Sequence, residues 1–320
     1  MNRAEMQAAS CDEVLSGLNQ PIKSLPCKLL YDAAGAELFE RITEVEDYYL
    51  TRAEHALLAA ELPAIAELVG PNARVIEPGS GAGKKTRMLL GALDRVATYV
   101  PIDVSADQLA ENASALRAEF PGLEVLPVLG DYTQALAMPA SARPHGRTLV
   151  FFPGSTIGNF EPDAARQFLK RLATLAGPDA MLLLGADANA NREELLRAYD
   201  DSEGVTAEFD LNVLAHVNRT HRATFDLDQF MHRAVWNAAR SRIEMHLVSK
   251  RAQTVKVGDA TFTFARGEPI VTEHCYKHAP AALAQILQDS GWAVTRTFAD
   301  PAQRMRLWLA TSTAKRGWTT

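Results

Sequence analysis

From about Glu54 to Asp187, short β-rich apolar runs alternate with helical patterns, and each run stops at a glycine or an acidic residue. This alternation is the strongest constraint on the fold, because strands separated by helices pair in parallel through crossovers and build an α/β sheet. The runs are Ala73 to Glu77, entering glycines; Thr98 to Ile102, ending at Asp103; and Leu123 to Val128, ending at Gly130-Asp131. Thr148 to Phe152 then enters Pro153-Gly154-Ser155, and Ala180 to Leu184 ends at Gly185-Ala186-Asp187. Helices are expected over Lys85 to Leu93, Ala106 to Glu119 and Pro162 to Leu175. Every polar cluster therefore lies at the carboxyl end of a strand, where ligands bind in a doubly wound sheet.

After Asp187 the alternation stops. Residues 188 to 250 read as mainly helical and polar, followed by a hairpin of Thr254 to Val257 and Thr261 to Ala265 around Gly258-Asp259. Pro280 to Ser290 places Leu283, Ile286 and Leu287 on one helical face, and strand candidates Trp292 to Thr297 and Met305 to Thr311 follow, the last able to complete the first sheet. At 320 residues the chain is long enough for two cores. The expected organisation is a Rossmann-like domain of residues 54–187 and 279–320 and an inserted α+β domain of residues 1–53 and 188–278.

Lys and Arg number 33 against 39 Asp and Glu, a net charge of −6, and no run of five like charges forms an interaction tail. Nucleic acid is therefore not an expected partner. Cys11, Cys27 and Cys275 are too scattered for a disulfide framework, and no His-Glu or Cys-His spacing resembles a ligand set, so no metal is expected. No apolar stretch approaches the ~18 residues that cross a bilayer, and the charged N-terminus lacks the core of a secretory signal. A cytoplasmic monomer acting on a small molecule, without a membrane partner, fits these features.

The chemistry concentrates at Glu77-Pro78-Gly79-Ser80-Gly81-Ala82-Gly83, between the first strand and a helix. Glycines here let the backbone turn sharply beside a ligand, and the helix N-terminus favours an anionic group. The spacing Gly-x-Gly-x-Gly lacks the third glycine of the dinucleotide fingerprint, and an acid stands two residues before the first glycine. Both details favour S-adenosylmethionine over NAD. Asp103, at the end of the second strand, can accept from both ribose hydroxyls of an adenosine cofactor. Asp131 can accept from the adenine amine while Tyr132 flanks the ring. Each aspartate alone is equally readable as a cap; together, at successive strand ends, they point to one ligand.

Longer strings carry a resemblance. Leu30-Tyr31-Asp32-Ala33-Ala34-Gly35-Ala36-Glu37-Leu38-Phe39, Asp47-Tyr48-Tyr49-Leu50-Thr51-Arg52-Ala53-Glu54, Gly154-Ser155-Thr156-Ile157-Gly158-Asn159, Arg197-Ala198-Tyr199-Asp200-Asp201, Phe209-Asp210-Leu211-Asn212, Arg242-Ile243-Glu244-Met245 and Thr272-Glu273 occur in order along most of the chain. In these the chain closely resembles the histidine Nα-methyltransferases of ergothioneine biosynthesis. The resemblance implies a class I methyltransferase sheet with an inserted substrate-binding domain, S-adenosylmethionine as cofactor, and trimethylation of the α-amine of histidine to hercynine. It further implies that Gly79, Lys85, Asp103, Asp131 and Tyr132 bind the cofactor and that Asn159 and Tyr199 hold the substrate carboxylate. Tyr48 and Glu273 would address the imidazole, Tyr31 and Gly154 would surround the reacting amine, and Met245 and Cys275 would lie near the substrate.

The residue chemistry is compatible with those roles. Asn and Tyr supply donors for a carboxylate, and Glu273 can accept an imidazole N–H. A substrate without that N–H would strand the charge, so rejection by roughly 10²-fold or more is expected. Simpler readings stand beside these: Asn159 as a turn residue in the left-handed region, Lys85 as a surface helix residue, Glu273 as a solvated strand-end acid, Met245 as core, and the three tyrosines as packing residues. One departure is Cys275, where relatives usually carry serine; a thiol is the weaker donor, worth on the order of 0.5–1.5 kcal/mol less. It leaves open another amino-acid substrate, such as tryptophan or a histidine derivative. A non-catalytic S-adenosylmethionine-binding protein is the reading from a different class.

Overall fold

The computed structural model of the chain describes residues 3–81 and 83–314, with side chains described from Cys11 onward. Ala82 of the glycine motif, and residues 1–2 and 315–320 at the outer ends of the two expected domains, lie outside the described residues. The chain forms two compact units, one of Leu50–Asn189 and His278–Thr320, the other of Met1–Tyr49 and Ala190–Lys277.

The first unit is built on a sheet whose strands run in the order Trp292–Ala299, Met305–Ser312, Met181–Asp187, Thr148–Phe152, Arg74–Pro78, Thr98–Asp103 and Glu124–Val125. The strands from Met181–Asp187 onward pair in parallel, whereas Met305–Ser312 is antiparallel to both its neighbours. Thr148–Phe152 is buried at every position, as a strand covered on both faces must be. Side chains alternate between the faces. Leu149 and Phe151 share one core with Leu58, Leu62 and Ile65, while Val150 and Phe152 share another with Phe168, Leu169 and Ile286. The expected third strand is split: Glu124–Val125 and Val128–Leu129 each pair with Thr98–Asp103, on either side of Pro127, which has no N–H to give. Chain order reverses beside Arg74–Pro78, whose two neighbours are Thr98–Asp103 and Thr148–Phe152. The crevice at such a switch point is the expected ligand site.

The second unit carries a three-stranded antiparallel sheet in the order Pro269–Tyr276, Arg242–Ser249, Phe230–Asn237, and a hairpin of Gln253–Val257 with Ala260–Phe264. This corrects the helical reading of residues 188–250. The α-helices there are Arg192–Tyr199 and Val205–His221; a short 3-10 turn, Leu227–Gln229, and two strands follow. Phe230, His232 and Ala234 point inward while Met231 and Arg233 are exposed, a period of two hidden in the sequence because the inward set includes a histidine and the outward set a methionine. Asp32 caps the helix Ala33–Glu44 by accepting from the Gly35 N–H at 2.8 Å and also takes a bond from Asn212. The segment before it joins the sheet unit by a bridge between Ser24 and Val271 and an ion pair between Lys23 and Glu268. Among the described residues no helix is long and apolar enough to cross a membrane.

Candidate active site

At the carboxyl end of Arg74–Pro78, Gly79, Gly81 and Gly83 have φ of +70°, +48° and +73°, the left-handed region that glycine enters without strain. A Cβ at Gly79 would lie 3.2 Å from the Tyr132 ring, so the bare backbone and the aromatic face are held against each other. Gly83 caps the helix Lys84–Ala92. Asp103 faces the same loop: its Oδ2 lies 3.4 Å from the Gly81 N–H, and its Oδ1 accepts from the Ser105 N–H at 3.0 Å. Asp131 accepts from the Thr133 N–H at 2.8 Å, and Tyr132 packs edge-on to Phe152 with ring centroids 6.1 Å apart. Four of the five sequence-predicted cofactor residues thus surround the strand ends beside the glycine loop.

Under this loop Glu77 is buried and accepts from the hydroxyls of Tyr99 at 2.7 Å and Thr86 at 2.8 Å. Burial pushes its carboxyl up to about 7, against the pull of those two hydrogen bonds. Its role is to tie the loop to the next strand and helix.

The fifth residue, Lys85, pairs with Glu54, a carboxylate only 1% exposed. Glu54 also accepts from the Gly154 N–H, at 2.9 and 3.0 Å to its two oxygens. Gly154 has φ +84°, and a Cβ there would lie 3.6 Å from Lys85 Nζ. Sequence reasoning quoted Glu54 only within a longer string and missed it as the acid that organises both neighbours. The following turn is also resolved: Ser155 takes the left-handed conformation, at φ +59°, while Asn159 ends a short 3-10 helix, Thr156–Asn159. The alternative reading of Asn159 as the left-handed residue is thereby corrected; Ser155 holds that place, its hydroxyl accepting from the Asp187 N–H at 2.9 Å.

The other substrate-side candidates belong to the second unit. Tyr31, Tyr48 and Tyr199 join one aromatic cluster: Tyr31 lies 5.6 Å from Phe39 and 5.4 Å from Phe209, Phe39 lies 6.3 Å from Tyr48, and Tyr48 lies 6.2 Å from Tyr199, centroid to centroid. The contacts are edge-to-face, the favoured arrangement of ring quadrupoles. Met245 and Glu273 are both buried and stand opposite each other on adjacent strands.

Cys275, two residues after Glu273, shares its face of the strand. Its sulfur is 2.8 Å from the Tyr199 hydroxyl. Lys277, one further alternation along, is buried at 5% exposure and places its ammonium 2.9 Å from the Tyr199 oxygen, 3.3 Å from the Cys275 sulfur and 4.7 Å from the centre of the Tyr199 ring. Sequence reasoning missed Lys277, although the spacing Glu273, Cys275, Lys277 was the signal. Cys27 also feels Glu273: desolvation first, then that negative charge, pushes its thiol up to about 12.

The arrangement in the first unit fits the cofactor that the glycine spacing implies. It offers a side-chain-free cradle against an aromatic ring, a carboxylate at the next strand end and an ammonium over Gly154. Among the described residues no group of three or more His, Cys, Asp or Glu side chains is arranged to hold a metal ion.

Comparison with known proteins places these features in a family. The histidine-specific methyltransferase family, SAM-dependent, matches residues 10–312. Histidine N-alpha-methyltransferases of Mycolicibacterium smegmatis and Mycobacterium tuberculosis are 42% and 43% identical over 304 residues, covering 93% of this chain and 93% of each relative. Ergothioneine biosynthesis protein 1 of Neurospora crassa is 34% identical over 200 residues, 61% of this chain and 23% of that larger protein. By the extent of the family match and the identity across nearly all of two relatives, this chain belongs to the histidine-specific, SAM-dependent methyltransferases.

Proposed function

We propose that the chain transfers three methyl groups from S-adenosylmethionine to the α-amine of L-histidine, forming Nα,Nα,Nα-trimethylhistidine, the first step of ergothioneine biosynthesis. The observation that carries this reading is identity of 42–43% over 93% of the chain to two histidine N-alpha-methyltransferases. Glu273 is buried in the second unit and, as a carboxylate, can accept from an imidazole N–H.

In this reading the unit of residues 50–189 and 278–320 is the methyltransferase domain, and the unit of residues 1–49 and 190–277 selects the amino acid. Gly79 gives the cofactor close backbone approach, Asp103 accepts from its ribose, Asp131 and Tyr132 take its adenine, and Lys85 meets its carboxylate. When bound, the cofactor supplies a methyl group on a sulfonium sulfur, open to in-line attack by nitrogen. Tyr199 and Asn159 hold the substrate carboxylate; Glu273, with Tyr48, holds the imidazole. Fixing both ends of a small amino acid removes most of its rotational freedom, and that positioning is the main source of rate. Tyr31 and Gly154 border the amine, which must be neutral to attack and must lose a proton before each further round. The final quaternary ammonium has no N–H, and a tyrosine face attracts it by about 0.5–2 kcal/mol. A cytoplasmic location and a monomeric state belong to the same reading, since a small substrate and a diffusible cofactor require neither membrane nor partner.

The test is a reaction of the purified chain with S-adenosylmethionine and either histidine or tryptophan, read by mass spectrometry. Histidine heavier by three methyl groups is the expected product. Methylation of tryptophan but not histidine overturns the substrate, and no turnover with either overturns the enzyme.

A further inference from the structure

Thr272 stands where the strand Pro269–Tyr276 changes register: Val271 is opposite His246 and Glu273 opposite Met245, so Thr272 has no partner of its own across the ladder. A bulge of this kind turns a strand and re-aims the side chains beside it. The Thr272 side chain is pinned. Its hydroxyl, in a residue 2% exposed, donates to Asp210 Oδ1 and lies 3.1 Å from the Met245 carbonyl oxygen.

Asp210 is fully buried, and its other oxygen lies 2.7 Å from His232 Nδ1. His232 Nε2 lies 2.8 Å from the backbone carbonyl of Tyr199. A carboxylate and a carbonyl have no hydrogen to give, so both ring nitrogens donate and the ring is an imidazolium. Burial works against that charge, but the hydrogen bond and charge of Asp210 outweigh it and raise the pKa of His232 above its usual 6.5.

A buried ion pair is a poor source of stability, since apolar residues of the same volume serve as well or better. What this one does have is direction. It links the backbone at Tyr199, through His232 and Asp210, to Thr272 and the bulge before Glu273. Tyr199 and Glu273, both assigned above to the substrate, thus stand at the two ends of one chain of hydrogen bonds within a single unit.

We propose that His232, Asp210 and Thr272 form a positioning relay that pins the bulge at Thr272, aims Glu273 and fixes Tyr199, so that the site accepts histidine. The assignment rests on the reading of the chain as a histidine methyltransferase.

The experiment compares Thr272→Val, which keeps the shape but not the hydroxyl, with Thr272→Ser, which restores it. Steady-state kinetics are measured for histidine and for S-adenosylmethionine, with titration of S-adenosylhomocysteine as a check on the cofactor side. The relay requires the histidine KM to rise at least tenfold in Thr272→Val, with the S-adenosylmethionine KM and S-adenosylhomocysteine affinity within twofold of the unaltered chain, and Thr272→Ser to return within about threefold of it. An unchanged histidine KM overturns the assignment, as does a parallel loss of both affinities that serine does not rescue. If Thr272→Val does not fold, nitrogen-15 spectra of the unaltered chain at pH 7.5 decide, with His232 assigned through His232→Asn. Protons on both ring nitrogens support the relay, and a neutral ring overturns it. Should the unaltered chain turn over no histidine, the reading of function fails and the relay falls with it; turnover with an indifferent Thr272→Val removes the relay alone.

Discussion

The Lys277 ammonium donates to the Tyr199 hydroxyl oxygen across 2.9 Å and lies 3.3 Å from the Cys275 sulfur. An ammonium has only donors, so it occupies a lone pair of the phenol and directs the phenolic hydrogen elsewhere. It also brings a positive charge to the residue proposed to meet the substrate carboxylate. Methionine at this position keeps the length of the chain without its charge. Lys277→Met is expected to lower kcat/KM for histidine about 10–100-fold, chiefly through KM, the loss of one charge-assisted hydrogen bond. S-adenosylhomocysteine titration is expected to be unchanged, and a matching loss there would remove Lys277 from the substrate side.

Cys275 touches Tyr199 and Lys277. A hydroxyl donates more strongly than a thiol. Cys275→Ser is expected to lower the histidine KM about two- to tenfold, corresponding to one improved hydrogen bond. Steady-state kinetics check this, and a higher KM would mean that the size of the sulfur matters more than its polarity.

Gly185 passes so close to Glu54 that a Cβ there would lie 1.9 Å from its Oε1. Gly185→Ala must therefore displace a buried carboxylate or bend the central strand, a destabilisation of about 1–3 kcal/mol by the cost of overpacking. Because Glu54 also pairs with Lys85 and accepts from Gly154, S-adenosylhomocysteine affinity is expected to fall along with the urea midpoint. Stability lost with cofactor affinity intact would uncouple Glu54 from the cofactor side.

Glu77 has a folded pKa of about 7 against the usual 4.5. Its neutral form is favoured by the fold, so its contribution to stability is complete below 4.5 and is lost as pH rises through about 7. The full span corresponds to about 3 kcal/mol. Urea unfolding at pH 5 and pH 8 is expected to show a larger fall in the unaltered chain than in Glu77→Gln. Equal slopes would mean that Glu77 does not set this dependence.

Much of the methyltransferase sheet was legible because its strands are continuous apolar runs, each stopped by a glycine or acid at its carboxyl end. The same logic puts Gly79, Asp103 and Asp131 at or just past the ends of successive strands, where the structure has them. The strand Phe230–Asn237 was not legible, since its inward face carries His232, which is paired with Asp210 from a helix remote in sequence and with the Tyr199 carbonyl. Lys277 escaped notice for a similar reason: lysine is a surface residue by default, and only the fold brings Tyr199 to it. The gathering of Tyr31, Tyr48 and Tyr199 around Phe39 and Phe209 is likewise a tertiary fact, with no periodicity to announce it.

The pairing of Ser24 with Val271 and of Lys23 with Glu268 has a consequence for synthesis. Lys23 and Glu268 are 245 positions apart, and at ribosomal rates of roughly 5–20 residues per second the first waits about 12–50 s for the second to be made. The strand Met305–Ser312, which lies inside the other sheet, is made later still. Neither unit can close before these segments have been made, so both hydrophobic interiors stay open to chaperones and to self-association until the strands that complete them emerge.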